Sequence, residues 1–79
     1  MYYVYIMASR KHGTLYVGVT SNLIGRAYQH RTNAAAGYGN PLTAIAREKE
    51  IKKWRPEWKI NLIEGTNPEW TDLFESLAH

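Results

Sequence analysis

Two short segments, residues 2–7 (Tyr-Tyr-Val-Tyr-Ile-Met) and 15–19 (Leu-Tyr-Val-Gly-Val), are rich in aromatic and β-branched residues and lie close together in the chain. Such residues fit a pleated, half-buried surface, so both segments read as strands. A parallel pair needs a crossover of a dozen or more residues, so a link this short leaves an antiparallel hairpin. Gly13 is available for a positive φ in the turn region. Gly18 weakens the second strand unless another backbone or a ligand comes close there. Strand side chains alternate, so Tyr3 and Tyr5 share one face.

Helices follow. Thr20 or Ser21 can cap one over residues 21–31, in which Asn22, Arg26 and His30 recur every fourth position and form a polar stripe. Residues 32–42 have no clear period, and Gly37, Gly39 and Pro41 make the stretch a loop. Thr43 can cap the next helix, over 44–54, which stops ahead of Pro56. Pro56 suits the first turn of a further helix closed by Gly65. Asn67-Pro68-Glu69 repeats a helix-start pattern. Trp70, Leu73, Phe74 and Leu77 then follow at helical spacing. The fold expected is α/β of the α+β kind: a hairpin, as a reduced sheet without a third strand, packed on about four helices.

The 79 residues suffice for one small domain, with 66–79 as a C-terminal helical extension. A domain so short buries only roughly 60–65% of its unfolded surface, so its core is thin. The chain has no cysteine, which excludes disulfides and cysteine-ligated metal. No apolar run approaches the roughly 20 residues that span a bilayer. Met1 leads straight into a strand-like run rather than a signal peptide. A soluble cytoplasmic protein without a membrane partner is the expectation.

The charge is unevenly spread. Residues 1–47 hold Arg10, Lys11, Arg26, Arg31 and Arg47 and no acid. Lys49, Lys52, Lys53, Arg55 and Lys59 follow among Glu48, Glu50 and Glu57, and the end of the chain is acidic. A basic body with an acidic tail suits a polyanion, although the same charges also keep a small protein in solution.

Glu48 is the most informative residue. At about 100° per residue, Ile45 and Ile51 lie to either side of it and Ala44 is close, so a carboxylate sits within an apolar stripe. An ion pair to Lys52 at i+4 would satisfy it; so would a metal ion. Arg26 and His30 pose a similar choice. A guanidinium recognises phosphate and an imidazole relays protons near neutral pH, yet both also suit a solvated helix face. Tyr3, Tyr5 and Tyr16 are equally well read as packing rings.

Together these residues form a recognisable series. Tyr3-Val4-Tyr5, then Tyr16-Val17-Gly18, resembles the paired tripeptides of the GIY-YIG nucleases. Arg26 and His30 stand where that family places an arginine and a histidine on its first helix. Ala44-Ile45-Ala46-Arg47-Glu48-Lys49-Glu50-Ile51-Lys52-Lys53-Trp54 is similar to its glutamate-bearing helix, nearest to the small stand-alone bacterial members. The tail Asn67-Pro68-Glu69-Trp70 is similar to theirs too. The resemblance covers residues 1–31 and 43–75.

The resemblance implies metal-dependent hydrolysis of DNA phosphodiester bonds. Glu48 would hold one Mg²⁺ or Mn²⁺, Arg26 would clamp the scissile phosphate, and Tyr16, with Tyr5 beside it, would position or deprotonate the attacking water. His30 would assist the proton transfer. Arg31, Arg47, Lys49, Lys52 and Lys53 would bind the DNA. A supporting asparagine found in relatives has no match at Lys59; Asn61 lies two residues on. The link from His30 to Ala44 is shorter than in relatives, which fit a further strand there. Its loss would loosen the platform, lower activity and expose a strand edge. That edge would be covered in part by 34–42 or would pair two copies, giving a monomer or a weak homodimer. A second reading is a weak or inactive nucleic-acid-binding remnant. A third, a protein-interaction module built on tryptophans, is set against their use as core of a helical layer.

Overall fold

The computed structural model describes residues 1–8, 13–30 and 32–70, with side chains of 27–30 outside the description. The element order is β1 (Tyr2–Ala8), β2 (Leu15–Thr20), α1 (Leu23–His30), β3 (Thr32–Tyr38), α2 (Pro41–Lys52) and α3 (Pro56–Thr66). The class is α+β, as expected. The sheet has three strands in the order β2-β1-β3, antiparallel throughout. Three helices lie among the described residues. No helix of the described residues is long and apolar enough to cross a membrane.

The third strand corrects the expectation of a loop over 32–42. Thr, Asn, Ala and Gly have little strand preference of their own. The open edge of β1, however, offers a row of unpaired N–H and C=O groups that any extended segment can satisfy. Residues Ala34, Ala35, Ala36, Gly37 and Tyr38 pair in sequence with Ile6, Tyr5, Val4, Tyr3 and Tyr2. Pro41, the strand-breaking residue, falls beyond the strand as the first residue of α2. The edge that argued for pairing of two copies is therefore filled from within the chain.

Between Ile6 and Met7 the β1–β3 register shifts, and Asn33 is the residue passed over. Its side chain replaces the missing backbone partner: Asn33 Oδ1 accepts from the Ala8 N–H at 2.9 Å. Asn33 Nδ2 donates to the Trp70 carbonyl at 3.2 Å, and Asn67 Nδ2 donates to the Asn33 carbonyl at 2.9 Å. All three residues are buried. Trp70 is held at φ 59°, a value uncommon outside glycine. Its indole also donates to Glu64 Oε2 at 3.0 Å. Residues 67–70 thus form a turn rather than opening a helix, and the remainder of the expected last helix lies outside the described residues.

The sheet's pleat separates two faces. Val4, Ile6, Ala8 and Ala34 cluster with Ala44, Ile51, Ile63 and Trp70, so α2 and α3 cover that face. Burying an aliphatic side chain of this kind is worth about 1.5–3 kcal/mol. Tyr3, Tyr5 and Tyr16 point to the other face.

Helix caps differ from expectation for local reasons. Asn22, not Thr20 or Ser21, closes α1 by accepting from the Gly25 N–H at 3.1 Å. A Cβ at Gly25 would meet that same side chain, with Asn22 Cγ at 3.0 Å. Asn40, not Thr43, caps α2: its Oδ1 accepts from Leu42 N–H at 2.8 Å, with Pro41 at the first helical position. Gly65 lies inside α3 rather than after it. Ile45 is an exposed position, so the apolar stripe around Glu48 is Ala44 and Ile51 alone. Of the three tryptophans expected in the core, Trp70 is buried, Trp54 is half-buried and Trp58 is 51% exposed.

Candidate active site

The tyrosine face takes shape around Gly18. Tyr5 pairs with Gly18 across β1 and β2. Directly opposed residues project to the same face, and glycine leaves room there. The Tyr5 ring fills that room: a Cβ on Gly18 would stand 2.6 Å from Tyr5 Cζ. The close approach expected over Gly18 is thus a neighbouring side chain. Tyr5 is 8% exposed, held down by more than the sheet. Arg26, one turn into α1, places its guanidinium carbon 5.8 Å from the centre of the Tyr5 ring. A cation over an aromatic face is attracted to it, and the planar guanidinium keeps its N–H groups free at its rim.

Tyr16 opposes Met7 on the same face and is diagonal to Tyr5. It is half exposed, open to water. On the far side Ala35 and Gly37 stand opposite Tyr5 and Tyr3, and the Tyr3 ring and Met1 side chain lie over Gly37. His30 ends α1, and its side chain lies outside the described residues, as does Arg31.

Glu48 stands on the other side of the sheet. Ala44 and Ile51, which flank it on α2, belong to the cluster with Val4 and Ile6. The same helix face therefore turns Glu48 inward, and its side chain is only 15% exposed. Its Oε1 pairs with Lys52 Nζ at 2.8 Å. Among the described residues its other oxygen has no partner, and no hydrogen bond or ion pair links it to Tyr5, Tyr16 or Arg26. Helix α2 packs against both β1 and β2. The tyrosine–arginine group and the helix that carries the carboxylate thus lie on opposite faces of the sheet. No group of three or more His, Cys, Asp or Glu is assembled among the described residues. One carboxylate with a free oxygen fits a hard divalent cation, which keeps most of its positions for water and phosphate oxygens.

The basic residues divide. Lys49, Lys52 and Lys53 are exposed on and just after α2. Arg47 is committed elsewhere: it pairs with Glu50 at 2.7 Å and lies 4.9 Å from the Trp54 ring centre. Lys59, at the position matched to the supporting asparagine, donates to the Lys52 carbonyl at 3.4 Å. Asn61 is exposed beside Trp54 and Trp58.

Residues 1–41, just over half of the chain, match the model of the GIY-YIG catalytic domain. The chain belongs to the GIY-YIG family. This is a family of nucleases, so the coarse class is a hydrolase acting on nucleic acid. The matched segment contains the GIY-YIG tripeptide positions, Arg26, His30 and all of β3, and stops as α2 begins. Glu48 lies beyond it. Comparison with curated proteins and with solved structures returns no match.

Proposed function

We propose that this GIY-YIG protein is a metal-dependent endonuclease that hydrolyses phosphodiester bonds of DNA. The observation that carries the reading is the stacking of Arg26 on Tyr5 over Gly18, with Tyr16 exposed beside them. A buried ring fixes the arginine's plane, and a fixed guanidinium stabilises the charge that grows on a phosphate as it is attacked. Tyr16, in reach of water, positions the nucleophile, with His30 assisting the proton transfer. Glu48 would hold the Mg²⁺ or Mn²⁺ ion. When bound, such an ion stabilises charge on the leaving oxygen. Lys49, Lys52 and Lys53 supply the sequence-tolerant attraction to the DNA backbone, with Arg31 and Arg47 as neighbours. The protein works in the cytoplasm, as a monomer or a weak homodimer.

A missing strand no longer argues for a loose platform or an inactive remnant, because β3 completes the sheet under Tyr5. One observation still favours the second reading: Lys52 occupies the Glu48 carboxylate. A plasmid-nicking assay with and without Mg²⁺ decides between them. Nicking that requires the metal supports the enzyme; binding without any nicking supports the remnant.

A further inference from the structure

The turn between α2 and α3 carries a group of side chains that this site leaves unused. Trp54 and Trp58 meet edge to face, with ring centres 6.4 Å apart and an interplanar angle of 75°. Arg55 lies 5.9 Å from the centre of the Trp58 ring, as Arg47 does over Trp54 at 4.9 Å. An open recess is lined by both rings together with Asn61 and Leu62. Half of Trp58 faces solvent. Arg55 beside it is exposed, as are Lys52 and Lys53 at the end of α2. Of the carboxylates nearby, Glu48 pairs with Lys52 and Glu50 with Arg47, while Glu57 is exposed in the first turn of α3.

An indole left in water keeps apolar surface hydrated, and a partner that covers it gains the free energy of its burial. A purely apolar partner would leave the charges of Lys53 and Arg55 unmatched and partly desolvated. The complementary ligand carries flat rings on a polyanionic backbone. A base inside a duplex hides its faces in the stack, whereas an unpaired base offers one. We propose that the Trp54–Trp58 corner is a stacking platform for an unpaired nucleobase, and that the preferred substrate carries a single-stranded segment next to its duplex. The backbone of that segment runs over Lys52, Lys53 and Arg55, and Asn61 meets the base edge. This deepens the nuclease reading, and rests on it for the class of polymer.

The test is fluorescence anisotropy of labelled oligonucleotides at fixed salt without divalent metal. A blunt duplex is compared with the same duplex bearing a single-stranded tail. The protein is used as wild type, Trp58→Ala and Trp58→Phe, each checked by circular dichroism for native folding. Stacking on one aromatic ring changes base binding by about tenfold. The wild type is expected to prefer the tailed duplex by about that factor. Trp58→Ala should abolish the preference while leaving blunt-duplex affinity unchanged, and Trp58→Phe should retain most of it. An equal affinity of the wild type for both ligands overturns the proposal. So does a Trp58→Ala variant that keeps the preference. Light scattering of the same samples reads the other use of an exposed ring: a dimer abolished by Trp58→Ala, without a tail preference, assigns the face to contact between copies. A tail preference without Mg²⁺-dependent nicking keeps this inference and removes the enzyme reading. Nicking without a tail preference does the reverse.

Discussion

The ring of Tyr5 lies across the α-carbon of Gly18, with Tyr5 Cζ 2.6 Å from where a Cβ on that glycine would stand. The last residue of the second motif is thereby explained by the tyrosine of the first. Gly18 is needed for space, and the space is what lets Tyr5 lie flat under Arg26.

Gly18→Ala should therefore displace the Tyr5 ring. Overpacking of this kind costs about 1–3 kcal/mol, and about 4–8 °C in Tm is expected for each kcal/mol in a domain of this size. Nicking activity, assayed well below the new Tm, should fall further than the folded fraction does. An unchanged Tm would show that the ring moves aside at no cost.

Glu48→Gln should remove metal-dependent cleavage by about a hundredfold or more, as loss of a group aimed at transition-state charge does. Stability should change by less than about 1 kcal/mol, because the Lys52 half of the pair is 55% exposed and screened by solvent. Lys52→Met should raise Mn²⁺ affinity, measured by titration calorimetry, since it frees the carboxylate oxygen. Full cutting by Glu48→Gln would restrict the carboxylate to its helix ion pair.

Asn33→Ala should destabilise by about 1–3 kcal/mol. It removes the acceptor of the buried Ala8 N–H and one donor to the Trp70 carbonyl; a buried donor left unsatisfied costs about 1–3 kcal/mol. Urea unfolding measures it. A midpoint equal to that of the parent would mean that water replaces the side chain.

Ala36→Val should stabilise. Ala36 opposes Val4 and lines an apolar recess of about 110 Å³ with Ile51 and Leu62. A β-branched side chain fits a strand better than alanine, within a scale of about 1 kcal/mol. A lower Tm would show that the recess is too narrow for the added carbons.

The hairpin and the first helix were legible in the sequence because their signals are local: tyrosine, valine and isoleucine in two runs, then a polar stripe at every fourth residue. The third strand was not. Its alanines and glycines carry no preference, and what orders them is the open edge of β1 and the side chain of Asn33, neither of which is a neighbour in sequence. Tyr5, Tyr16 and Arg26 were legible as a motif, and Glu48 as a carboxylate that must be either paired or metal-bound; the structure adds the pairing. The exposure of Trp58 was hidden, because residue type suggests burial and only the corner between α2 and α3 turns the ring outward.

The clasp around Asn33 also bears on how the protein is made. Asn33 lies within the segment that carries the family signature, yet its partners Asn67 and Trp70 lie far downstream. A nascent chain that has emerged only through α2 has the tyrosines, the arginine and the carboxylate, but it lacks the groups that close the bulge in β3. The Asn33 carbonyl and side-chain amide lack those partners until the turn after α3 leaves the ribosome. Cleavage chemistry and structural closure thus lie in separate stretches of the chain, so the nuclease platform closes only once residues through Trp70 have been made.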